Sequence, residues 1–226
     1  MTAPFTPRLK LDNRDPRVAC VLLLDVSLSM GGAPIDELNR GYARFCGELG
    51  EDPLARKRTE VAVVTFGGEV RVAQPFAEAR ELEPQRFSVS GTTPLGEALD
   101  TAMDLVEGRK AEYRAAGLEY YRPWLFVLSD GSPTDGERFE NAVRRLSEME
   151  RAKGATVFAV GIGEAADMTQ LARLSERGPA RLRGLQFGPM FAWLSASMQQ
   201  VSNSVAFGPE SDTTQIPLPP VGWGTA

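Results

Sequence analysis

The chain has 226 residues, of which 42% are hydrophobic and 24% are charged, and its formal net charge is −5 at neutral pH. These values are typical of a folded soluble protein, so disorder is excluded for most of the chain. A mildly acidic chain also lacks the basic surface that general nucleic-acid binding requires, and we do not expect nucleic acid as a partner.

Histidine is absent from the sequence, and its absence excludes several kinds of site. No Ser-His-Asp or Cys-His nucleophile pair can form, and no imidazole can hold zinc, iron or copper. Cys20 and Cys46 are too few for a zinc or iron–sulfur centre, and we expect them to be buried free thiols. Any metal bound by this chain therefore needs oxygen ligands.

Apolar runs and helical stripes alternate along the first half of the chain. The pattern predicts, in order, a buried strand over 17–24, a helix over 34–52, a buried strand over 60–66, a short antiparallel strand over 70–72 and a helix over 95–106. The turn between the second and third strands is expected at Gly67–Gly68, because two glycines suit a tight hairpin.

The second half of the chain continues the alternation. It predicts a strand over 124–128, a helix over 137–153, a strand over 155–160, a short helix over 167–174, a short strand over 182–187 and a final helix over 190–205. Such alternation indicates an α/β fold with a mainly parallel sheet and helices on both faces. In these sheets, ligands bind beyond the carboxyl ends of the strands.

We divide the chain into an N-terminal extension (1–16), one α/β domain (17–205) and a proline-rich C-terminal tail (206–226), which we expect to be irregular unless it packs onto the domain. The N-terminal extension lacks the apolar core of a secretory signal, and the longest apolar run, over 18–24, is too short to span a membrane. We therefore expect a cytoplasmic protein with no membrane partner.

Asp25, Ser27 and Ser29 place one carboxylate and two hydroxyls at alternating positions directly after the first strand. Extended backbone would point these three side chains to one side, because side chains alternate with a period of two. By the same reasoning, Val26 and Leu28 would point into the core.

Two further positions add oxygen ligands at the same predicted edge. Asp130 follows the end of the strand over 124–128, and Thr93 lies in a loop that opens a helix. Three hydroxyls and two carboxylates form a site that suits Mg²⁺ or Mn²⁺, with Ca²⁺ less suited. An open coordination position on the ion would attract an anionic oxygen from a partner. Asp135 is expected to cap the helix that starts near Gly136.

The alternating α/β pattern contains three motifs in order: Asp-x-Ser-x-Ser, Gly-Thr-Thr-Pro-Leu-Gly-x-Ala-Leu and Ser-Asp-Gly. Together they resemble the von Willebrand factor A (VWA) domain over about 17–205. The resemblance implies a Rossmann-like, doubly wound, mostly parallel six-stranded sheet with one short antiparallel edge strand. It also implies a metal-ion-dependent adhesion site at Asp25, Ser27, Ser29, Thr93 and Asp130. Thr92 is the alternative to Thr93, but the family's spacing to Gly96 and Leu99 favours Thr93.

Four further segments resemble bacterial cytoplasmic VWA proteins of the TerY type. They are Met30-Gly-Gly-Ala-Pro-Ile, Glu51-Asp-Pro, Ser129-Asp-Gly-Ser-Pro-Thr-Asp and Phe191-Ala-Trp-Leu-Ser-Ala-Ser. Such proteins are associated with tellurium-resistance and stress operons, often beside a kinase and a phosphatase. The resemblance therefore implies an operon-encoded kinase or phosphatase as a candidate partner.

The leading interpretation is a protein–protein interaction module in which the metal accepts a glutamate or aspartate from a partner protein. One alternative is a metal-dependent phosphohydrolase or phosphotransferase using the same site, which the lack of histidine and of a phosphate-binding loop disfavours. Another is a structural subunit in which the metal only braces the loops. We assign no catalytic residue, and we expect the arginine-rich segment 173–183 to be a solvated face.

Overall fold

A computed structural model of the chain describes residues 9, 12–130 and 132–204, together with the backbone of 224–225. The helices and strands are, in chain order, β1 (Val18–Asp25), α1 (Ala33–Glu51), α2 (Ala55–Arg58), β2 (Thr59–Gly67), β3 (Glu69–Glu78), α3 (Leu95–Ala116), β4 (Trp124–Ser129), α4 (Gly136–Arg151), β5 (Thr156–Gly161), α5 (Met168–Ala172), β6 (Ala180–Leu182), α6 (Phe187–Asn203) and β7 (Gly224–Thr225). Short 3₁₀ turns cover Leu28–Met30 and Ala79–Glu81.

The strands form one sheet in the order β3-β2-β1-β4-β5-β6-β7. Strands β2, β1, β4, β5 and β6 run parallel, whereas β3 and β7 are antiparallel to their neighbours at the two edges. The predicted α/β fold with a mostly parallel sheet is confirmed. Because β1 lies between β2 and β4, the strand order switches beside β1, where an open α/β sheet offers its ligand site.

The edge strand β3 is longer than predicted, since it pairs along most of β2 with register shifts between Val61 and Val64. Its second half contains Pro75, which an edge strand tolerates because one side of its ladder is unpaired. The last predicted strand, over 182–187, is placed too late: β6 ends at Leu182, and a turn through Gly184, with φ of 53°, leads into α6. The two-residue β7 adds a seventh strand to the six predicted.

Helices cover both faces of the sheet. Helices α1 and α6 pack on one face and α3 and α4 on the other, and each interface is filled by buried aliphatic and aromatic side chains. Gly41 allows α1 to approach α6, because a Cβ at this position would lie 2.7 Å from Cδ2 of Phe191. Cys20 and Cys46 are buried free thiols in the core, as expected.

A buried ionic cluster closes the amino end of the sheet, opposite the predicted site. The Glu60 carboxylate accepts a hydrogen bond from Nε of Arg109 at 2.7 Å and another from the hydroxyl of Tyr113, and Arg17 lies 3.4 Å from its other oxygen. Each charge therefore has a partner within the core, as buried ions require. In the part of the chain that the structure describes, no helix has the length and apolar character needed to cross a membrane.

Candidate metal centre

Neighbouring parallel strands bring the two predicted aspartates to the same edge of the sheet. Asp25 is the last residue of β1, and Asp130 follows Ser129 at the end of β4, with Leu24 paired to Leu128. The Asp25 side chain is fully buried, and its Oδ2 accepts a hydrogen bond of 2.7 Å from the Ser129 hydroxyl. Ser129 thus holds the first aspartate from the neighbouring strand.

The loop after β1 joins four of the predicted residues through hydrogen bonds. The backbone N–H of Ser27 donates to Oδ1 of Asp25 at 2.9 Å, and the hydroxyls of Ser27 and Ser29 lie 2.9 Å apart. The Ser29 hydroxyl donates to Oδ2 of Asp130 at 2.6 Å. Two carboxylates and two hydroxyls therefore converge at the carboxyl edge of the sheet.

Leu28 does not point into the core, so this part of the sequence prediction is wrong. Val26 is buried as expected, but the Leu28 side chain is 67% exposed. Strand β1 ends at Asp25, and the 3₁₀ turn over Leu28–Met30 breaks the two-residue alternation of extended backbone. Met30 instead fills the buried position below the loop.

Backbone hydrogen bonds bring the loop before α3 against the loop after β1. The N–H of Leu28 donates to the Gly91 carbonyl at 3.1 Å, and the N–H of Ser90 donates to the Val26 carbonyl at 2.8 Å. A Cβ at Gly67 would lie 2.5 Å from the Val26 oxygen and 2.6 Å from the Ser90 oxygen. A residue without a side chain is therefore needed where the two loops meet the end of β2.

Thr93, the fifth predicted residue, is buried in this loop. Its carbonyl accepts hydrogen bonds from the N–H of Thr134 at 2.9 Å and of Leu95 at 2.8 Å. The first of these bonds ties Thr93 to the loop that begins with Asp130. Across the residues that the structure covers, the Thr93 hydroxyl takes no part in the hydrogen bonds that join the other four site residues.

Asp135 occupies the N-cap position of α4, as predicted, but its side chain caps α3. Its carboxylate accepts hydrogen bonds from the N–H groups of Gly96 (3.1 Å) and Glu97 (2.8 Å) at the start of α3. Helix α3 needs this acceptor because its own cap residue, Pro94, provides no side-chain hydrogen bond. A Cβ at Gly96 would lie 2.4 Å from the Phe139 nitrogen, so the two helix starts are in contact.

Burial raises the pKa of the Asp25 carboxyl. Hydrogen bonds from Ser129 and Ser27 oppose this rise, and the negative charge of the neighbouring Asp130 adds to it. The negative charge of Asp130 acts on the buried Asp25 carboxyl, so the pair favours a bound cation that neutralises both.

The chemistry of the donor set fits a hard divalent cation. Two carboxylates and three hydroxyls provide only oxygen, which suits the octahedral coordination of Mg²⁺ or Mn²⁺ once water or a partner oxygen completes it. Over the described ranges, no group of three or more aspartate, glutamate or cysteine side chains could hold a metal. A metal at this edge would therefore depend on the serine and threonine hydroxyls.

The arginine-rich segment contributes ion pairs and loop contacts. Arg173 pairs with Glu140 at 2.5 Å on the surface. The Arg181 guanidinium donates to the carbonyls of Gly163 at 2.8 Å and Glu164 at 3.0 Å, and thereby holds the loop after β5. Arg181 thus serves the fold, whereas Arg173 makes an exposed surface ion pair, as a solvated face would.

The family model described as von Willebrand factor type A domain matches residues 20–183. Among curated proteins, none matches the chain in sequence. Solved structures from several organisms share its fold.

An aerotolerance-related membrane protein from Bacteroides fragilis, with multiple mutations to serines, has a TM-score of 0.55 at 12% identity, over 81% of this chain and 99% of that one. BatB from Bacteroides thetaiotaomicron has a TM-score of 0.53 at 17% identity, over 83% and 100%. The manganese-loaded TRAP protein of Plasmodium vivax has a TM-score of 0.52 at 16% identity, over 77% and 71%. At these identities the likeness concerns the fold.

Proposed function

The chain belongs to the von Willebrand factor type A domain family, and we propose that it is a metal-dependent protein–protein interaction module. Domains of this family commonly mediate protein–protein interactions. The observation that carries the proposal is the set of hydrogen bonds that joins Asp25, Ser27, Ser29 and Asp130 at the carboxyl edge of the sheet.

In this proposal, the chain holds Mg²⁺ or Mn²⁺ through Asp25, Ser27, Ser29, Thr93 and Asp130. Support comes from the all-oxygen donor set, from the buried carboxylate of Asp25, and from the manganese-loaded state of one protein with the same fold. When bound, the ion supplies a positive charge and a coordination position open to an external oxygen. Ser129 and the Ser27 N–H orient Asp25, and the Thr134 N–H fixes the backbone at Thr93.

The partner supplies a glutamate or aspartate side chain to this position. Two aspartates nearly neutralise a divalent ion, so a further carboxylate is attracted without the repulsion that a more acidic ligand set would cause. No feature of the described site favours the alternative of a phosphohydrolase or phosphotransferase. We propose a binding role without turnover.

We further propose that the protein is of the TerY-like type and acts in the cytoplasm, in a bacterial stress system of the tellurite-resistance kind. This proposal rests on the sequence segments that resemble that type, including Ser129-Asp-Gly-Ser-Pro-Thr-Asp. An operon-encoded kinase or phosphatase is then the first partner to examine.

A pull-down from cell lysate tests the adhesion mechanism. We immobilise wild type, Asp25→Ala and the control Asp104→Ala, each with Mg²⁺ and with EDTA. The exposed carboxylate of Asp104 pairs with Arg145 of α4 and is not among the predicted ligands. We expect a partner that wild type and the control retain only with Mg²⁺, and that Asp25→Ala does not retain. Partners that are the same in every sample would contradict the proposal.

Calorimetric titration of wild type with Mg²⁺ separates adhesion from mere bracing of the loops. Metal binding together with a metal-dependent partner supports adhesion. Metal binding that raises the melting temperature but leaves every partner contact unchanged would point to the bracing role instead.

A further inference from the structure

Leu28 is a large apolar side chain exposed at the centre of the candidate site. Its side chain is 67% exposed, and the only other large hydrophobic side chain exposed in the described ranges is Val72, at 38%. Its two sequence neighbours are Ser27 and Ser29, whose hydroxyls belong to the hydrogen-bonded set described above. The exposed side chain therefore belongs to the residue between two of the proposed metal ligands.

The backbone holds Leu28 in this outward position. Its N–H donates to the Gly91 carbonyl at 3.1 Å, and its own carbonyl accepts from the N–H of Gly31 at 3.1 Å. Both bonds anchor the 3₁₀ turn, so little backbone freedom remains to be lost when a partner packs against Leu28. Such preorganisation favours binding.

The loop segments nearest Leu28 contain no lysine or arginine. The segments 26–34, 90–96 and 132–134 hold only apolar residues, glycine, proline, serine and threonine. Their exposed side chains besides Leu28 include Ser29, Ser90, Thr92 and Ser132. With no lysine or arginine in these three segments, the positive charge that they would offer a partner carboxylate is that of the metal.

We propose that the partner presents its acidic residue beside a large apolar side chain, which packs on Leu28 while the carboxylate reaches the metal. This inference rests on the proposed function and adds the class of partner segment that the site selects. An apolar neighbour matches Leu28 and the uncharged segments around it, whereas an acidic neighbour would be desolvated on binding without a basic side chain in those segments to pair with. The selected segment is thus a glutamate or aspartate flanked by a residue such as leucine, isoleucine, phenylalanine or methionine.

A library of phage-displayed heptapeptides with a fixed central glutamate tests the inference. The library is selected on immobilised wild type, Leu28→Ser and the control Val72→Ser, each with Mg²⁺ and with EDTA, and bound peptides are sequenced. We expect Mg²⁺-dependent retention on wild type, with large apolar residues next to the glutamate enriched about ten-fold, which corresponds to about 1.4 kcal/mol. Val72→Ser should keep this enrichment and Leu28→Ser should lose it.

The remaining outcomes separate this inference from the proposed function. Mg²⁺-dependent retention without an apolar preference, or with the same preference in Leu28→Ser, would overturn the inference and leave the metal-dependent interaction standing. Peptide retention on wild type that is the same in Mg²⁺ and EDTA would overturn both. Calorimetry of Leu28→Ser with Mg²⁺ shows whether that variant keeps its metal site, and an unchanged metal affinity assigns its lost preference to the missing side chain.

Discussion

The Ser29 hydroxyl donates a hydrogen bond of 2.6 Å to Oδ2 of Asp130, although 101 positions separate the two residues in sequence. The contact exists because β1 and β4 are adjacent and parallel, so that the loops at their carboxyl ends meet. The bond gives the Asp130 carboxylate a donor and leaves the lone pairs of the Ser29 oxygen for a metal, since a neutral hydroxyl can bind a cation and keep its proton. The two residues are therefore already positioned to act together.

Asp25→Asn should remove the metal response without damaging the fold. Asparagine keeps the shape of the side chain and an oxygen for the Ser27 N–H, but it removes a buried negative charge. We expect the metal-free variant to be at least as stable as wild type. At a Mg²⁺ concentration 100 times the Kd, wild type should gain about 2.7 kcal/mol and the variant should gain nothing.

Differential scanning calorimetry with Mg²⁺ and with EDTA measures this difference. For a chain of this size, 2.7 kcal/mol corresponds to a rise in Tm of about 5–10 °C. The exposed Asp104→Asn is the matched control and should keep the full response. An equal Mg²⁺-induced rise in Asp25→Asn would remove Asp25 from the site.

Asp135→Ala should lower both stability and metal affinity. The substitution leaves the N–H groups of Gly96 and Glu97 without their acceptor, which costs about 1–2 kcal/mol for a lost helix cap. It also loosens the connection between the Asp130 loop and the start of α3, beside Thr93. Asp135→Asn keeps one acceptor oxygen and should lose less.

Urea unfolding and Mg²⁺ titration by calorimetry, on the same preparations, test this prediction. The expected order of stability is wild type, Asp135→Asn and then Asp135→Ala, with the same order in metal affinity. A stability loss with unchanged metal affinity would show that Asp135 serves the helix junction alone.

The placement of the aspartates at the strand ends could be predicted because it depends on local signals. A continuous apolar run ending in Asp25, and another ending before Asp130, identify buried parallel strands whose carboxyl ends meet. The order and spacing of the motifs also identified the family, which the match over 20–183 confirms. The identity of the five residues as metal ligands remains a prediction.

Other features depend on contacts between distant segments, and no local pattern carries them. The outward turn of Leu28 goes with the hydrogen bond from its N–H to Gly91. Asp135 bonds to a helix that begins almost 40 positions earlier in the sequence, so a local rule assigns it to its own helix. The length of β3 comes from pairing with β2, since Pro75 in its own sequence argues against a strand.

Both cysteines should be unreactive in the folded protein. Burial raises the pKa of the Cys46 thiol to about 11 and that of Cys20 further, so the reactive thiolate is scarce at pH 8. Ellman's reagent at pH 8 should detect no thiol in the native state and two after unfolding in guanidinium. One rapidly reacting thiol in the native protein would contradict the buried position of Cys46.

The same shift predicts how stability depends on pH. An unfolded thiol loses its proton near pH 8.5, while the folded thiols keep theirs, so the folded state binds more protons above that pH. The cysteine contribution therefore makes the free energy of unfolding fall as pH rises above about 8.5. We measure denaturation midpoints of wild type and of the double variant Cys20→Ala/Cys46→Ala at pH 8 and pH 10. The free energy of unfolding should fall less in the double variant, which lacks the thiols.

Two glycines of α3 should respond in opposite directions to alanine. At Gly108 a Cβ meets nothing within 4 Å, so Gly108→Ala should stabilise the protein by about 1 kcal/mol through helix propensity. Gly96 is the second residue of α3, where the gain in helix propensity is smaller, and a Cβ there would lie only 2.4 Å from the Phe139 nitrogen, which is backbone and cannot move aside cheaply. Because overpacking costs about 1–3 kcal/mol, Gly96→Ala should be destabilised on balance.

Thermal unfolding of the two variants beside wild type measures both effects. The pair shares a helix and a substitution, and a Cβ meets nothing within 4 Å at Gly108, so a loss of stability confined to Gly96→Ala reports the contact between the starts of α3 and α4. At that junction, Asp135 joins the loop of Asp130 to the start of α3, which follows Thr93. Gly96→Ala should therefore also weaken Mg²⁺ binding, while Gly108→Ala should not. Equal stabilisation of both variants would show that the two helix starts are not in contact.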